Sequence, residues 1–143
     1  MDKTKIALIT GGTGDIGTAI AKHLNGGFSK VIALDVVVDN EGEQWQADCR
    51  KAGFEQLEFM HMDVTDFNQC QEVVHTIIQQ YGRIDVLVNN AGITRDAVFS
   101  KMTKEQWDQV IRVNLDGMFN VTRQVVETMS AQHFGDLLHR DQS

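Results

Sequence analysis

Ile6-Ala7-Leu8-Ile9-Thr10-Gly11-Gly12-Thr13-Gly14-Asp15-Ile16-Gly17 is the stretch that decides the fold. Four apolar residues without alternation read as a strand buried on both faces. Gly12, Gly14 and Gly17 then form G-x-G-x-x-G, and Ile16, Ala19, Ile20 and Leu24 follow at helical spacing on one face. A strand, a glycine-rich turn and a helix in that order suit dinucleotide binding. Glycine lets the backbone turn tightly and approach a pyrophosphate, and the helix N-terminus directs unpaired N–H groups at the anion. The competing explanation for the same glycines is close helix–strand packing alone.

Outward from this turn the same alternation repeats. Gly26-Gly27 stops the first helix, and residues 31–34 form a second apolar strand closed by Asp35. Residues 41–52 read as a helix with Trp45, Cys49 and Ala52 inward, ended by Gly53, and residues 57–62 as a third strand. Asp66-x-x-Gln69 resembles a capping box; the helix behind it turns Phe67, Cys70, Val73, Val74, Ile77, Ile78 and Tyr81 inward and stops at Gly82. Residues 84–88 make a fourth strand that ends in Asn89-Asn90-Ala91-Gly92. Thr103-x-x-Gln106 is a second capping box, opening one long helix through Trp107, Val110, Ile111, Leu115, Met118, Phe119, Val125 and Met129, which read as core. Uninterrupted apolar strands, each followed by a helix, predict an α/β fold with a doubly wound parallel sheet and right-handed crossovers.

Length and charge narrow the function. With 143 residues the chain fits one domain, and no apolar run approaches the length of a membrane span. A formal charge of −7 argues against nucleic acid or an anionic membrane as partner, while leaving an anionic small ligand open. Cys49 and Cys70 stand far apart and in no CxxC, and the histidines form no HExxH, so neither a metal site nor a disulfide framework is expected. The N-terminus lacks the apolar region of a signal peptide, and a reducing cytoplasm is the expected compartment.

Asp35 stands 18 residues after Gly17 at a strand end. A carboxylate there accepts hydrogen bonds from a ribose 2′-OH and repels a 2′-phosphate; no Arg or Lys stands at 13, 14, 36 or 37 to pair with such a phosphate. NAD(H) is therefore favoured over NADP(H), which stays as the alternative, and a plain strand-end cap is the competing role of Asp35. Asn114 lies between Ile111 and Met118 on the inward stripe of the long helix, where an amide must find partners. It either fixes the helix or serves a site, and strand-end Asn89 and Asn90 pose the same choice.

These motifs, together with Asp63-Val64, Asn89-Asn90-Ala91-Gly92 and Val113-Asn114-Leu115, resemble the N-terminal part of a short-chain dehydrogenase/reductase. The run from Asp85 to Asp96, with Lys101-Met102-Thr103, Trp107 and Phe119-Asn120-Val121-Thr122, is similar to acetoacetyl-CoA reductases and 3-oxoacyl-ACP reductases. The resemblance implies a Rossmann-like sheet in the strand order 3-2-1-4 with later strands missing. Residues 1–135 would be the NAD(P)-binding domain and residues 136–143 a divergent tail. It assigns Gly11, Gly12, Thr13, Gly14, Asp15, Ile16 and Gly17 to the pyrophosphate and Asp35 to the adenosine ribose. Asp63 and Val64 go to the adenine, Asn90, Ala91 and Gly92 to the rest of the cofactor, and Asn114 to the catalytic set, where it helps position a water. It also implies an acyl thioester substrate and a homo-oligomer built through the long helix.

Two departures from the pattern stand out. The family usually has glycine at 15, where this chain has Asp15; weakened rather than abolished cofactor binding is expected. After Gly135 the similarity fails: the tail has no strand-like run, Ser143 does not match the catalytic serine, and no Tyr-x-x-x-Lys occurs. The only tyrosine is Tyr81, with Asp85 four residues on. Carbonyl reduction needs a proton donor for the developing alkoxide, which the family's tyrosine supplies. The expectation is a truncated or frame-shifted reductase of 3-oxoacyl thioesters that is inactive alone, the alternatives being a non-catalytic dinucleotide-binding fragment or a poorly folded remnant.

Overall fold

In the computed structural model, residues 4–93, 99–132 and 135–139 are described. Five strands, β1 (Ile6–Thr10), β2 (Lys30–Asp35), β3 (Leu57–His61), β4 (Val86–Asn89) and β5 (Asp136–His139), form one sheet in the order β3-β2-β1-β4-β5, parallel at every pairing. Helices α1 (Asp15–Leu24), α2 (Glu41–Lys51), α3 (Phe67–Tyr81), α4 (Lys104–Ile111) and α5 (Gly117–Gln132) cover it.

The unbroken apolar strands follow from burial on two sides. Ile6 and Leu8 of β1 and Ile32 and Leu34 of β2 pack with Val74 and Ile77 of α3 and Val121 and Val125 of α5. Their neighbours Ala7, Ile9 and Val31 pack on the opposite face with Ala21 of α1 and Cys49 of α2. Fully burying an aliphatic side chain contributes about 1.5–3 kcal/mol, so β1, with four core residues no more than 1% exposed, is the centre of the fold.

Local signals set the helix ends. Thr103 accepts from the Gln106 backbone N–H and the Gln106 side chain accepts from the Thr103 N–H, a complete capping box. Asp66 accepts from the Gln69 N–H, but the Gln69 side chain reaches past it to the Asp63 N–H, so only half of that box forms. Gly82, at φ 81°, ends α3 in the left-handed conformation.

The long helix is interrupted. A π-helical turn, Arg112–Asp116, joins α4 to α5. The π-helical turn and the far end of α5 are held to the flanks of β4 by side-chain amides. Gln132 accepts from the Ile84 N–H at 2.9 Å and donates to the Ile84 carbonyl at 2.8 Å. Asn114 does the same to Ile93, at 2.7 and 3.0 Å.

The strand order 3-2-1-4 is as expected, but the outer edge of β4 is not bare. Asp136–His139 pairs along Val86–Asn89, and the Asp136 N–H donates to the Asp85 carbonyl at 2.8 Å. An exposed parallel edge offers a row of unpaired backbone groups, and four residues with two leucines suffice to take it up. Leu137 reaches the core while Leu138 faces out, so the apolar run that marks the inner strands is missing here. The segment assigned to a divergent tail thus contributes a strand; residues 140–143, including Ser143, and residues 94–98 lie outside the described residues.

Trp107 is not core: it is 46% exposed. Phe67 and Phe119, also expected inside, stack on each other at the surface with ring centroids 6.5 Å apart. Ala52, at the end of α2, is exposed as well. Of the apolar stripe on the long helix, Val121, Val125 and Met129 reach the core while Trp107, Leu115 and Phe119 stay in solvent.

Candidate functional site

Strands β1 and β4 are neighbours whose following helices go to opposite faces of the sheet, and a crevice opens beyond their carboxyl ends. A cleft of about 640 Å3 lies there, within the range of small-ligand sites. It is lined by Gly11, Gly14, Asp15, Ile16, Gly17, Asp35, Asp63, Val64, Asn90, Ala91 and Gly92, which brings together most of the residues read from the sequence. Leu34, Val36, Met62, Thr65, Ile93 and Val113 line it too.

The glycine turn is held by its own backbone. The Gly11 N–H donates to the Leu34 carbonyl at 2.8 Å, which pins the loop to the end of β2. Gly11 has φ +62°, and a Cβ there would stand 2.9 Å from the Ala91 Cα. At Gly17 a Cβ would stand 2.3 Å from the Gly11 carbonyl oxygen. Both positions therefore demand glycine for the fold itself. Gly14 is different: it is the exposed residue ahead of α1, and the nearest protein atom to a Cβ there is 3.6 Å away. Nothing in the protein requires glycine at 14, whereas an anion approaching the first turn of α1 would.

Gly12 and Thr13 do not line the cleft. Gly12 is buried against Ala33 of β2, where a Cβ would stand 2.6 Å from the alanine Cβ. Thr13 turns to Asp35: its N–H and hydroxyl both donate to Asp35 Oδ2, at 3.1 and 2.6 Å. The Val36 N–H donates to Asp35 Oδ1 at 2.8 Å. Asp63 accepts from the Thr65 N–H and hydroxyl at 2.9 and 2.7 Å. The lining carries Asp15, Asp35 and Asp63 and, among the described residues, no Lys, Arg or His. Asp15 is exposed in the first turn of α1, where a carboxylate is favoured by the helix dipole.

Thr10, which sequence reading passed over as a site residue, ties the two strand ends together. Its oxygen accepts from the N–H groups of Asn90 and Ala91, both at 3.0 Å. The Asn90 side chain donates to the Gly11 carbonyl at 3.1 Å, and its Oδ1 is buried without a protein partner. A buried acceptor left over at a cleft wall is open to a ligand's donor. Val64 is fixed from the other side, where the Asn120 side chain donates to its carbonyl at 2.8 Å and Gly117 packs on its side chain. Asn114, within the π-helical turn, bonds both backbone groups of Ile93, so its side chain holds the cleft wall.

A profile of the family described as short chain dehydrogenase matches residues 5–139. The chain belongs to the short-chain dehydrogenase family. The short-chain dehydrogenase fold is also that of the crystal structure of gox2181, which matches 97% of this chain and 53% of its own length at a TM-score of 0.88 and 31% identity. The 3-oxoacyl-(acyl-carrier-protein) reductase FabG of Thermotoga maritima is 43% identical over 135 residues, 94% of this chain and 54% of the relative. The acetoacetyl-CoA reductase of Cupriavidus necator is 38% identical over the same 94% of this chain and 54% of its own length. The chain thus spans about half the length of the relatives it matches.

Tyr81 lies away from the cleft, at the end of α3 that returns to the amino ends of the strands. Its hydroxyl donates to Glu58 at 2.8 Å. Burial first, and then the bond to and charge of Glu58, push its pKa up to about 12, which makes it a weaker proton donor. Beside the cleft, Asn89 donates to the Thr122 hydroxyl and meets His139 Nδ1, each at 3.0 Å. Asn89 and His139 border a second, mostly apolar cavity of about 600 Å3 that Trp107, Ile111 and Met118 also line. Among the described residues no helix is long and apolar enough to cross a membrane.

Proposed function

We propose that the cleft binds a nicotinamide dinucleotide, with NAD(H) preferred to NADP(H), and that the chain carries the cofactor half of a reductase of 3-oxoacyl thioesters. The observation that carries this reading is a cleft with a glycine turn open at Gly14, a carboxylate at Asp35 and, among the described residues, no lining cation. The free N–H groups at the start of α1 bind the pyrophosphate. Asp35 takes a ribose hydroxyl and repels a 2′-phosphate. Asp63 and Val64 flank the adenine, Asn90, Ala91 and Gly92 carry the nicotinamide half, and Asn114 holds the wall there through Ile93. When bound, the dinucleotide supplies a hydride to the carbonyl carbon.

The proton for the resulting alkoxide needs a separate donor. Tyr81 is the only tyrosine, and its bond to Glu58 and its raised pKa do not suit it to that role. The 143 residues therefore bind the cofactor and do not turn over a 3-oxoacyl thioester by themselves. The surface pair Phe67 and Phe119 and exposed Leu115 and Val126 support a homo-oligomer built through α3, the π-helical turn and α5. Free, buried Cys49 and Cys70 suit a reducing cytoplasm.

NADH oxidation with acetoacetyl-CoA tests this directly. Purified chain should match the no-enzyme control while still binding NADH; sustained turnover would show that a donor other than the family's tyrosine completes the reaction.

A further inference from the structure

The pyrophosphate turn and the ribose-reading carboxylate are joined by one residue, Thr13. It donates twice to Asp35 Oδ2, through its N–H at 3.1 Å and its hydroxyl at 2.6 Å, while the Val36 N–H holds Oδ1 at 2.8 Å. A carboxylate has about four acceptor positions. Two donors fill Oδ2 and one occupies Oδ1, so one position on Oδ1 is left. The Thr13 hydroxyl gives its proton to Asp35 and keeps its own lone pairs. An adenosine ribose brings hydroxyl donors, and the remaining position on Asp35 Oδ1, on the cleft wall, is the acceptor that Thr13 holds in place for one of them.

We propose that Thr13 is the residue that positions Asp35 for cofactor choice, so that Thr13 and Asp35 together select a free ribose diol over a 2′-phosphorylated one. The inference rests on the dinucleotide reading of the cleft and deepens it. Three hydrogen bonds fix both carboxylate oxygens, so Asp35 cannot swing aside when a phosphate arrives, and its negative charge stays at the place the 2′ substituent would take. A shift of Thr13 moves the glycine turn and the carboxylate together, which couples the pyrophosphate and ribose contacts.

The test is a cycle of Thr13→Val, Asp35→Ala and the double variant, each titrated with NADH and with NADPH by ligand fluorescence. Loss of a typical net hydrogen-bond contribution predicts that Thr13→Val weakens NADH roughly three- to tenfold. NADPH affinity should hold or rise, so the preference narrows. In the Asp35→Ala background Thr13→Val should change neither affinity, because Thr13 acts through the carboxylate. Thr13→Ser, which keeps the hydroxyl, should restore NADH binding. Thr13→Ala provides a second readout should the valine variant not fold. An equal loss for both cofactors, or the same loss with Asp35 absent, would overturn the proposal and leave Thr13 a plain loop residue. Failure of the parent to bind either cofactor would refute the dinucleotide reading itself, and Thr13's role with it.

Discussion

Gly14 and Gly17 stand three residues apart on the same turn, yet alanine should affect them in opposite ways. At Gly17 the new Cβ falls 2.3 Å from the Gly11 carbonyl oxygen and 2.7 Å from the Gly12 Cα, both backbone atoms that cannot turn away. Relieving such a clash costs about 1–3 kcal/mol. For a chain of this size that is a fall in melting temperature of roughly 3–12 °C. At Gly14 the nearest protein atom is 3.6 Å away and the backbone, at φ −72°, suits any residue. Gly14→Ala should leave stability unchanged or raise it by about 0.4–1 kcal/mol, because the unfolded chain loses freedom. On the proposed reading the methyl group instead occupies the approach of the pyrophosphate. Crowding of about 1–3 kcal/mol there corresponds to roughly 5- to 150-fold weaker NADH binding. Thermal unfolding monitored by circular dichroism, paired with NADH titration, reads both effects. A Gly14→Ala chain that melts as early as Gly17→Ala, or that binds NADH like the parent, would refute the division between glycines kept for the fold and the glycine kept for the ligand.

Removing the exposed carboxylate of Asp15 with Asp15→Gly should tighten NADH by about two- to fivefold at low salt and less at high salt, as a screened repulsion must; titration at two ionic strengths checks both parts, and no gain at low salt would place the carboxylate away from the pyrophosphate. Asp85 is fully buried, accepts from the Ile6 N–H at 2.9 Å and is paired with Arg83. Asp85→Ala should therefore destabilise by about 1–3 kcal/mol in urea unfolding without altering the cofactor preference. Burial raises the Cys70 thiol to about 12 from an ordinary 9.0, with Asp63 and Asp66 adding to it, and Tyr81 rises to about 12 from 10.0. The folded state holds both protons longer than the unfolded one, so stability should fall as pH rises above about 9 and level off near 12; a urea midpoint that stays flat from pH 8.5 to 11 would contradict this.

The parts of the fold written in local chemistry were legible. Ile6 to Ile9 and Val31 to Leu34 are apolar without a break because the sheet is covered on both faces, and Thr103 with Gln106 announces the start of α4. The site was legible where a residue type is forced. Gly11 and Gly17 admit no side chain, and Asp35 emerges at the end of a buried strand. What depends on partners far along the chain was not. β5 exists because Asn89 and its neighbours offer an open edge, and Asp136-Leu137-Leu138-His139 shows little strand pattern of its own. The π-helical turn at Arg112–Asp116 has no residue that announces it; it accompanies the clamp of Asn114 on Ile93. Trp107 fits the helical stripe as well as Val121 does, and only the tertiary packing decides which is covered. Thr10 looks like a spacer ahead of the glycines until its bonds from Asn90 and Ala91 are known, and Thr13, assigned to the pyrophosphate, bonds Asp35 instead.

In the proposed reading, the cleft beyond β1 and β4 takes NAD(H) in preference to NADP(H). A calorimetric titration of the purified chain with NADH and then with NADPH tests it most directly. Saturable NADH binding, with NADPH weaker by at least about tenfold, or about 1.4 kcal/mol, is the predicted result. NADPH binding as tightly as NADH, or no saturable binding of either, would contradict it.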